Sequence, residues 1–153
     1  MAQSGYKPNK RSKQGKQQMK TFSEIRSHVM GHHSLIIDEP FLLGFESPAN
    51  SGDRKQSMFL AELKMSDGRR FLRIETPVTP LSGFDAEKCL RINQMQRVGY
   101  LAVGDLDGIP YIKLCENMPY STLDDNELEY VINTMAPFAD DIERALEPNS
   151  DIA

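Results

Sequence analysis

The sequence predicts an α+β domain in which helices cover an antiparallel sheet. Three observations carry that expectation. Leu128, Val131, Ile132, Met135, Phe138, Ala139, Ile142 and Leu146 recur at spacings of three and four, one apolar stripe on a long closing helix over 123–146. Ahead of it, short extended apolar runs are separated by Asp67-Gly68 and Asp107-Gly108, the dipeptide that tight hairpins prefer because both positions adopt positive φ. The 153 residues fit one ordinary domain, and a chain of this size buries roughly 68–70% of the surface its unfolded form exposes.

The elements follow in order. Thr21 and Glu24 have the spacing of a capping box, so a short helix starts there, with Phe22, Ile25, Val29 and Met30 as its apolar face and Gly31 as its stop. Leu35–Ile37 is extended, and the run after Pro40, Phe41–Phe45, either continues it or begins a second piece; the proline suits an edge or a bulge. Pro48–Gln56 reads as a long exposed hairpin loop. Met58–Met65 and Phe71–Glu75 pair across Asp67-Gly68, and Thr76-Pro-Val-Thr-Pro-Leu closes that edge because neither proline donates to a ladder. Ser82 with Asp85 opens a second helix, carrying Ala86, Cys89, Leu90 and Asn93 on one face with Phe84, Ile92 and Met95 around it. Val98–Asp105 and Ile109–Cys115 form the second hairpin, and Thr122 with Asp125 caps the last helix. Pro137 inside that helix predicts a kink near Thr134. The expected order is therefore α-β-β-β-α-β-β-α, in a single domain over 21–147 followed by a frayed end over 148–153.

Charge divides the chain. Lys7, Lys10, Arg11, Lys13, Lys16 and Lys20 give residues 1–20 six cations and no acid, which leaves −10 for the remainder of a chain whose net charge is −4. That tail is too polar to repay its ordering entropy and is expected to be disordered. It either solubilises, folding back on its own acidic domain, or anchors an anion; near an anionic lipid surface each cation contributes about 1 kcal/mol. The closing helix carries Asp124, Asp125, Glu127, Glu129, Asp140, Asp141, Glu143 and Glu147 between its apolar positions, an acidic outer face.

Catalytic patterns are missing: there is no glycine-rich phosphate loop, no G-x-S-x-G elbow and no cysteine with a histidine partner, so the chain is read as a non-enzyme without cofactor. Cys89 and Cys115 read as buried thiols of a reducing compartment. Neither a signal-peptide core nor a spanning apolar run of about 20 residues occurs, which points to the cytoplasm. His28 and His32 have the one-turn spacing of metal ligands, but Gly31 interrupts the turn and no acid is supplied beside them, so no metal site is assigned and His28, His32 and His33 read as helix-end and turn residues. Asp105, Asp107, Gly108 and Glu116 match calcium-loop positions, yet a strand over 109–114 would carry Glu116 away. Asp38 with Glu39, and Asp140 with Asp141, are neighbours in polar runs rather than an acid–base pair across a substrate. Lys64, Arg69, Arg70 and Arg73 make a basic spot or pair across strands with Glu62 and Glu75.

The run Phe71-Leu-Arg-Ile-Glu-Thr-Pro-Val, the helix segment Leu90-Arg-Ile-Asn93, the hairpin Gly104-Asp-Leu-Asp-Gly108, and Leu123, Leu128 and Phe138-Ala-Asp140 before Ile142 and Leu146 resemble the YbjN-type family of bacterial sensory-transduction regulators. In element order the chain is similar to class I type III secretion chaperones, over about residues 34–146. The resemblance implies a compact α/β sandwich, commonly a homodimer, that binds a client protein segment and has no catalytic residues. A middle helix apolar on two sides fits that implication, and Ile92 and Met95 are the candidate outer surface for a dimer or client. A second reading, from a different class, is a nucleic-acid-associated accessory protein anchored by the cations of residues 7–20; the acidic domain argues against a large footprint.

Overall fold

A computed structural model describes residues 18–49, 54–82 and 85–147. The first helix begins where its cap dictates. Thr21 Oγ1 accepts from the Glu24 amide at 3.1 Å and the Glu24 carboxylate accepts from the Thr21 amide at 3.1 Å, completing the capping box. Helix α1, Phe22–His32, runs through Gly31 and ends one residue later, with His33 as its C-cap. Phe22, Ile25 and Val29 are its buried face.

Four strands precede the second helix: β1 Leu35–Glu39, β2 Leu42–Pro48, β3 Lys55–Lys64 and β4 Arg70–Pro80. The extended run over 35–45 thus divides, because the chain turns at Pro40-Phe41 and β1 folds back on β2. Helix α2, Ala86–Met95, leads into β5 Tyr100–Leu106 and β6 Ile109–Pro119, and α3, Asp125–Leu146, closes the chain. All pairings are antiparallel, in the order β1-β2-β3-β4-β6-β5. The α+β class with helices on an antiparallel sheet is therefore the architecture of this protein.

Turn chemistry differs between the two Asp-Gly hairpins. Asp107 and Gly108 have φ of 52° and 80°, the two-residue turn expected there. At the first hairpin only Gly68 has positive φ, 94°. The Gly68 amide donates to Met65 O at 2.9 Å and the Met65 amide to Arg69 O at 2.8 Å, so the connection is a longer turn closed by the glycine.

Pro77 and Pro80 do not close an edge. Strand β4 contains both, between β3 and β6, and they are tolerated because β3 pairs only with residues 71–75 and the lone Arg70 before them, leaving the proline end unpaired on that side. A bulge between Pro77 and Thr79 adjusts the β6 register. Ser82 does not cap α2; Asp85 does, its carboxylate accepting from the Lys88 amide at 3.2 Å. Asp124 takes the role expected of Thr122, accepting from the Glu127 amide at 2.7 Å while Thr122 ends a 3-10 turn. An Asp side chain is the stronger acceptor at an N-cap.

The stripe on α3 packs across β2, β3 and β4, burying Leu128, Ile132, Met135 and Ala139 against Leu43, Phe45, Leu60, Leu72 and Ile74. Pro137 lies inside one helix spanning all 22 residues. Helix α1 flanks α3 toward β1 and β2, fastened by Arg26 Nε donating to Asp38 Oδ1 at 2.7 Å. Helix α2 covers the opposite end through Cys89 and Ile92.

Two carboxylates hold α1 and both are depressed below the usual range: Glu24 because the Lys20 and Thr21 amides and the Thr21 hydroxyl donate to it, and Asp38 because the Arg26 guanidinium donates to it. A carboxylate whose folded pKa is lowered contributes stability above its unfolded pKa and loses it as pH falls through the folded value. Helix α1 should therefore stay fastened at neutral pH and loosen only below about pH 4, read as a lower protection factor at the His33 amide, whose N–H donates to Val29 O. In Asp38→Asn it should be looser at neutral pH and respond less to acid; an unchanged pH profile would contradict this account.

Candidate functional site

Register decides which side chains share the helix side of the sheet. Leu101 faces Leu114 and Val103 faces Ile112, so all four lie beneath α2 or beside it. Helix α2 seals Leu101 and Ile112 but stops short of Val103. The result is an open trough of about 200 Å³ lined by Ala86, Cys89, Leu90, Leu101, Val103 and Ile112. Leu90 is 68% exposed and Val103 57%. That volume falls below the roughly 300–1,000 Å³ of small-molecule sites and suits one or two apolar side chains.

Ile92 is not on this surface. It is 6% exposed and belongs to the core, because α2 turns Cys89 and Ile92, three residues apart, onto the sheet. Met95 is exposed, on the opposite flank of α2 from Leu90. The surface that sequence reasoning placed at Ile92 and Met95 is therefore divided, and its concave part is built from Leu90 and Val103. The face Ala86, Cys89, Leu90 and Asn93 carried that signal in the sequence, but helical periodicity alone does not say how far β5 extends beyond the helix.

Asn93 works beside the trough. Its Oδ1 accepts from the Leu101 amide at 2.6 Å and its Nδ2 donates to Leu101 O at 3.4 Å. The side-chain amide thus satisfies both backbone groups that Leu101 turns away from β6, as a neighbouring strand would. Lys113 Nζ donates to Asp105 O at 3.0 Å further along. The outer edge of β5 is therefore partly closed to strand addition, and an incoming chain meets side chains rather than a free ladder.

The opposite sheet face has no helix over it among the described residues. Half-buried Phe59, Leu63 and Phe71 occupy one part, and a polar net the other: Arg73 Nε donates to Asn117 Oδ1 at 2.7 Å, Asn117 Nδ2 to the Tyr100 hydroxyl at 2.9 Å, and Lys113 Nζ to Glu75 at 3.2 Å. Arg70 lies 3.9 Å from Glu62, Arg73 3.6 Å from Glu75 and Arg69 3.5 Å from Asp67, so the arginines pair with acids instead of forming a basic spot. Beneath the net, burial first and Glu75 second push the Cys115 thiol up to about 11. Cys89 is raised too, chiefly by burial.

Asp140 leaves the acidic outer face. It is 1% exposed, held by Arg54 at 2.6 Å and Arg144 at 2.7 Å, so its charge is compensated inside the fold. Asp38 is paired with Arg26 and the exposed Glu39 has no part in that pair. Glu116 accepts from the Gly99 amide at 2.8 Å, at the other end of the hairpin from Asp105 and Asp107, so these acids do not converge. Glu129, on α3, stands against His28 at 2.8 Å and His33 at 3.4 Å, the acid that the sequence did not place beside the histidines.

Of the tail cations, Lys7, Lys10, Arg11, Lys13 and Lys16 lie outside the described residues, and Lys20 is exposed with its amide on Glu24. The order of the domain begins before Thr21: the Met19 amide donates to Leu123 O at 3.0 Å and Met19 is buried. No helix among the described residues is long and apolar enough to cross a membrane. Compared with known proteins, the chain matches no family model, no curated protein and no solved structure.

Asn93→Ala leaves the Leu101 amide and carbonyl without protein partners, and should cost about 1–3 kcal/mol in urea unfolding while raising concentration-dependent association in light scattering. Unchanged stability and association would remove the edge-closing role. Cys115 should resist iodoacetamide at pH 7.5 in the folded chain and react in denaturant; labelling at the rate of the unfolded chain would contradict its burial.

Proposed function

We propose that this chain is a non-enzymatic protein-binding module, in keeping with its resemblance to YbjN-type regulators and secretion chaperones, and that it takes an apolar segment of a client protein into the trough between α2 and β5. The observation that carries the reading is the exposure of Leu90 and Val103 around a concave apolar surface. Singly exposed apolar residues are ordinary, but these two meet across a trough whose floor is Leu101 and Ile112.

The mode of binding follows from the edge. With Asn93 on Leu101, the client is held by side-chain anchors rather than by extending the sheet. The trough accommodates one or two such anchors, and each fully buried aliphatic side chain contributes about 1.5–3 kcal/mol before ordering costs. Two such anchors sum to at most about 6 kcal/mol, so the trough alone supports affinities between tens of micromolar and millimolar. Glu87 is paired with Arg91 at 2.8 Å, and the exposed Asp85, Asp105 and Asp107 leave these elements net acidic even with Lys88, which favours a client whose apolar anchors are flanked by cations.

Selection of a displayed peptide library on the full chain should enrich peptides with one or two large aliphatic anchors, and Leu90→Asp should weaken them at least about tenfold, the equivalent of 1.4 kcal/mol. Because Leu90 is exposed, the thermal midpoint should hardly change. Peptides that bind Leu90→Asp as tightly as the parent would refute the trough. A dimer of the parent chain that Leu90→Asp dissolves would replace the client with a second copy.

A further inference from the structure

Three imidazoles converge on one carboxylate where α1 meets α3. His28 and His32, one turn apart on α1, stack with ring centroids 4.3 Å apart. Glu129 enters from α3 with Oε2 2.8 Å from His28 Nε2, across 101 residues of sequence. One ligand atom each from His28, His32 and Glu129 lies within 4.8 Å of the other two. His33 stands behind them, its ring stacked on Phe45 at 4.3 Å and its Nε2 3.4 Å from Glu129 Oε1.

We infer that His28, His32 and Glu129 bind a first-row divalent cation of the zinc type. Two imidazoles and a carboxylate are a donor set that suits zinc, with Zn–N near 2.0–2.1 Å and Zn–O near 2.0–2.2 Å. Such bond lengths set neighbouring ligand atoms about 3.3 Å apart in a tetrahedron. The His28–Glu129 pair has to open slightly and the widest pair to close by roughly 1.5 Å, changes within reach of side-chain rotation, since His32 is exposed and Glu129 half-buried.

Two further features separate this cluster from a simple helix-docking pair. His32 Nδ1 is 2.9 Å from the His28 carbonyl; with the proton on Nδ1 it donates there, which leaves Nε2 as the ligand nitrogen. His33 Nε2 is buried with no hydrogen-bond partner, and its side chain is 10% exposed. Glu129 Oε1 is near enough at 3.4 Å for an ion pair but makes no hydrogen bond with it, and a buried imidazole nitrogen left so calls for an explanation. When Glu129 turns Oε2 onto a metal, Oε1 remains beside His33 to accept from it, so the carboxylate is positioned from behind as ligating carboxylates usually are. Docking α1 on α3 would need one histidine, and this site has three.

Three protein ligands leave a fourth position for water or for a donor from another molecule. Of the three ligands His28 also lines a recess of about 410 Å³, with Met19, Ser23, Glu24, Ser27 and Asp125. The bound ion ties the first helix of the domain to the last, so its clearest readout is stability.

The test uses the untagged full chain stripped of metal. Calorimetric titration with Zn²⁺ should give one equivalent per chain, Co²⁺ should give the intense visible absorption of a four-coordinate site, and Zn²⁺ should raise the thermal midpoint. His32→Ala, at an exposed position, and Glu129→Gln should each weaken binding at least about tenfold and abolish the rise in midpoint. The weak absorption of six-coordinate Co²⁺ in the parent chain, or Zn²⁺ binding as tight in both variants as in the parent, would overturn the site.

Discussion

Packing of the α3 stripe across β2, β3 and β4 is the constraint on which the other features depend. A 22-residue helix is about 33 Å long, close to the reach of the longest strands, and it closes the centre of the sheet completely. Everything beside it must be covered by shorter pieces. Helix α1 fills the β1 and β2 side through Phe22, Ile25 and Val29. Helix α2 has ten residues, about 15 Å, against a β6 strand of eleven residues and about 36 Å, so it cannot cover the whole terminal hairpin. The open trough at Val103 is the geometric remainder of that mismatch.

An uncovered sheet end is also an aggregation hazard, and the chain limits it with polar side chains. Asn93 stands in for a seventh strand at Leu101, and Lys113 reaches the Asp105 carbonyl. At the other edge β1 is only five residues long, has a bulge between Leu35 and Ile37 and ends in Asp38 and Glu39, with Pro40 in the turn that follows. Both edges discourage backbone pairing while leaving apolar side chains in reach. That combination favours recognition through side chains and a modest contact area.

Local rules read well in the sequence where local chemistry decides. The capping box at Thr21, the α3 stripe, the turn at Asp107-Gly108 and the helix face of Ala86, Cys89, Leu90 and Asn93 all depend on residues within a turn or two of each other. Features set by distant partners were not legible. Ile92 looks as exposable as Leu90 until β5 is placed beneath it; Asp140 looks solvated until Arg54 arrives from the start of β3; Pro77 looks like a strand end until the β3–β4 pairing is seen to end at Glu75. The same holds for the histidines, whose missing acid, Glu129, lies 101 positions away. The placement of the open apolar surface likewise depends on the register of β5 on β6.

Paramagnetic relaxation of side-chain methyls by a soluble nitroxide, measured on dilute full chain, tests the open trough most directly. The account requires strong relaxation at the Leu90 and Val103 methyls, little at Leu101 and Ile112, and loss of the effect at Leu90 and Val103 when a bound client segment covers them. Equal protection of all four residues in the free, monomeric chain would show that the trough is closed and would contradict the central claim.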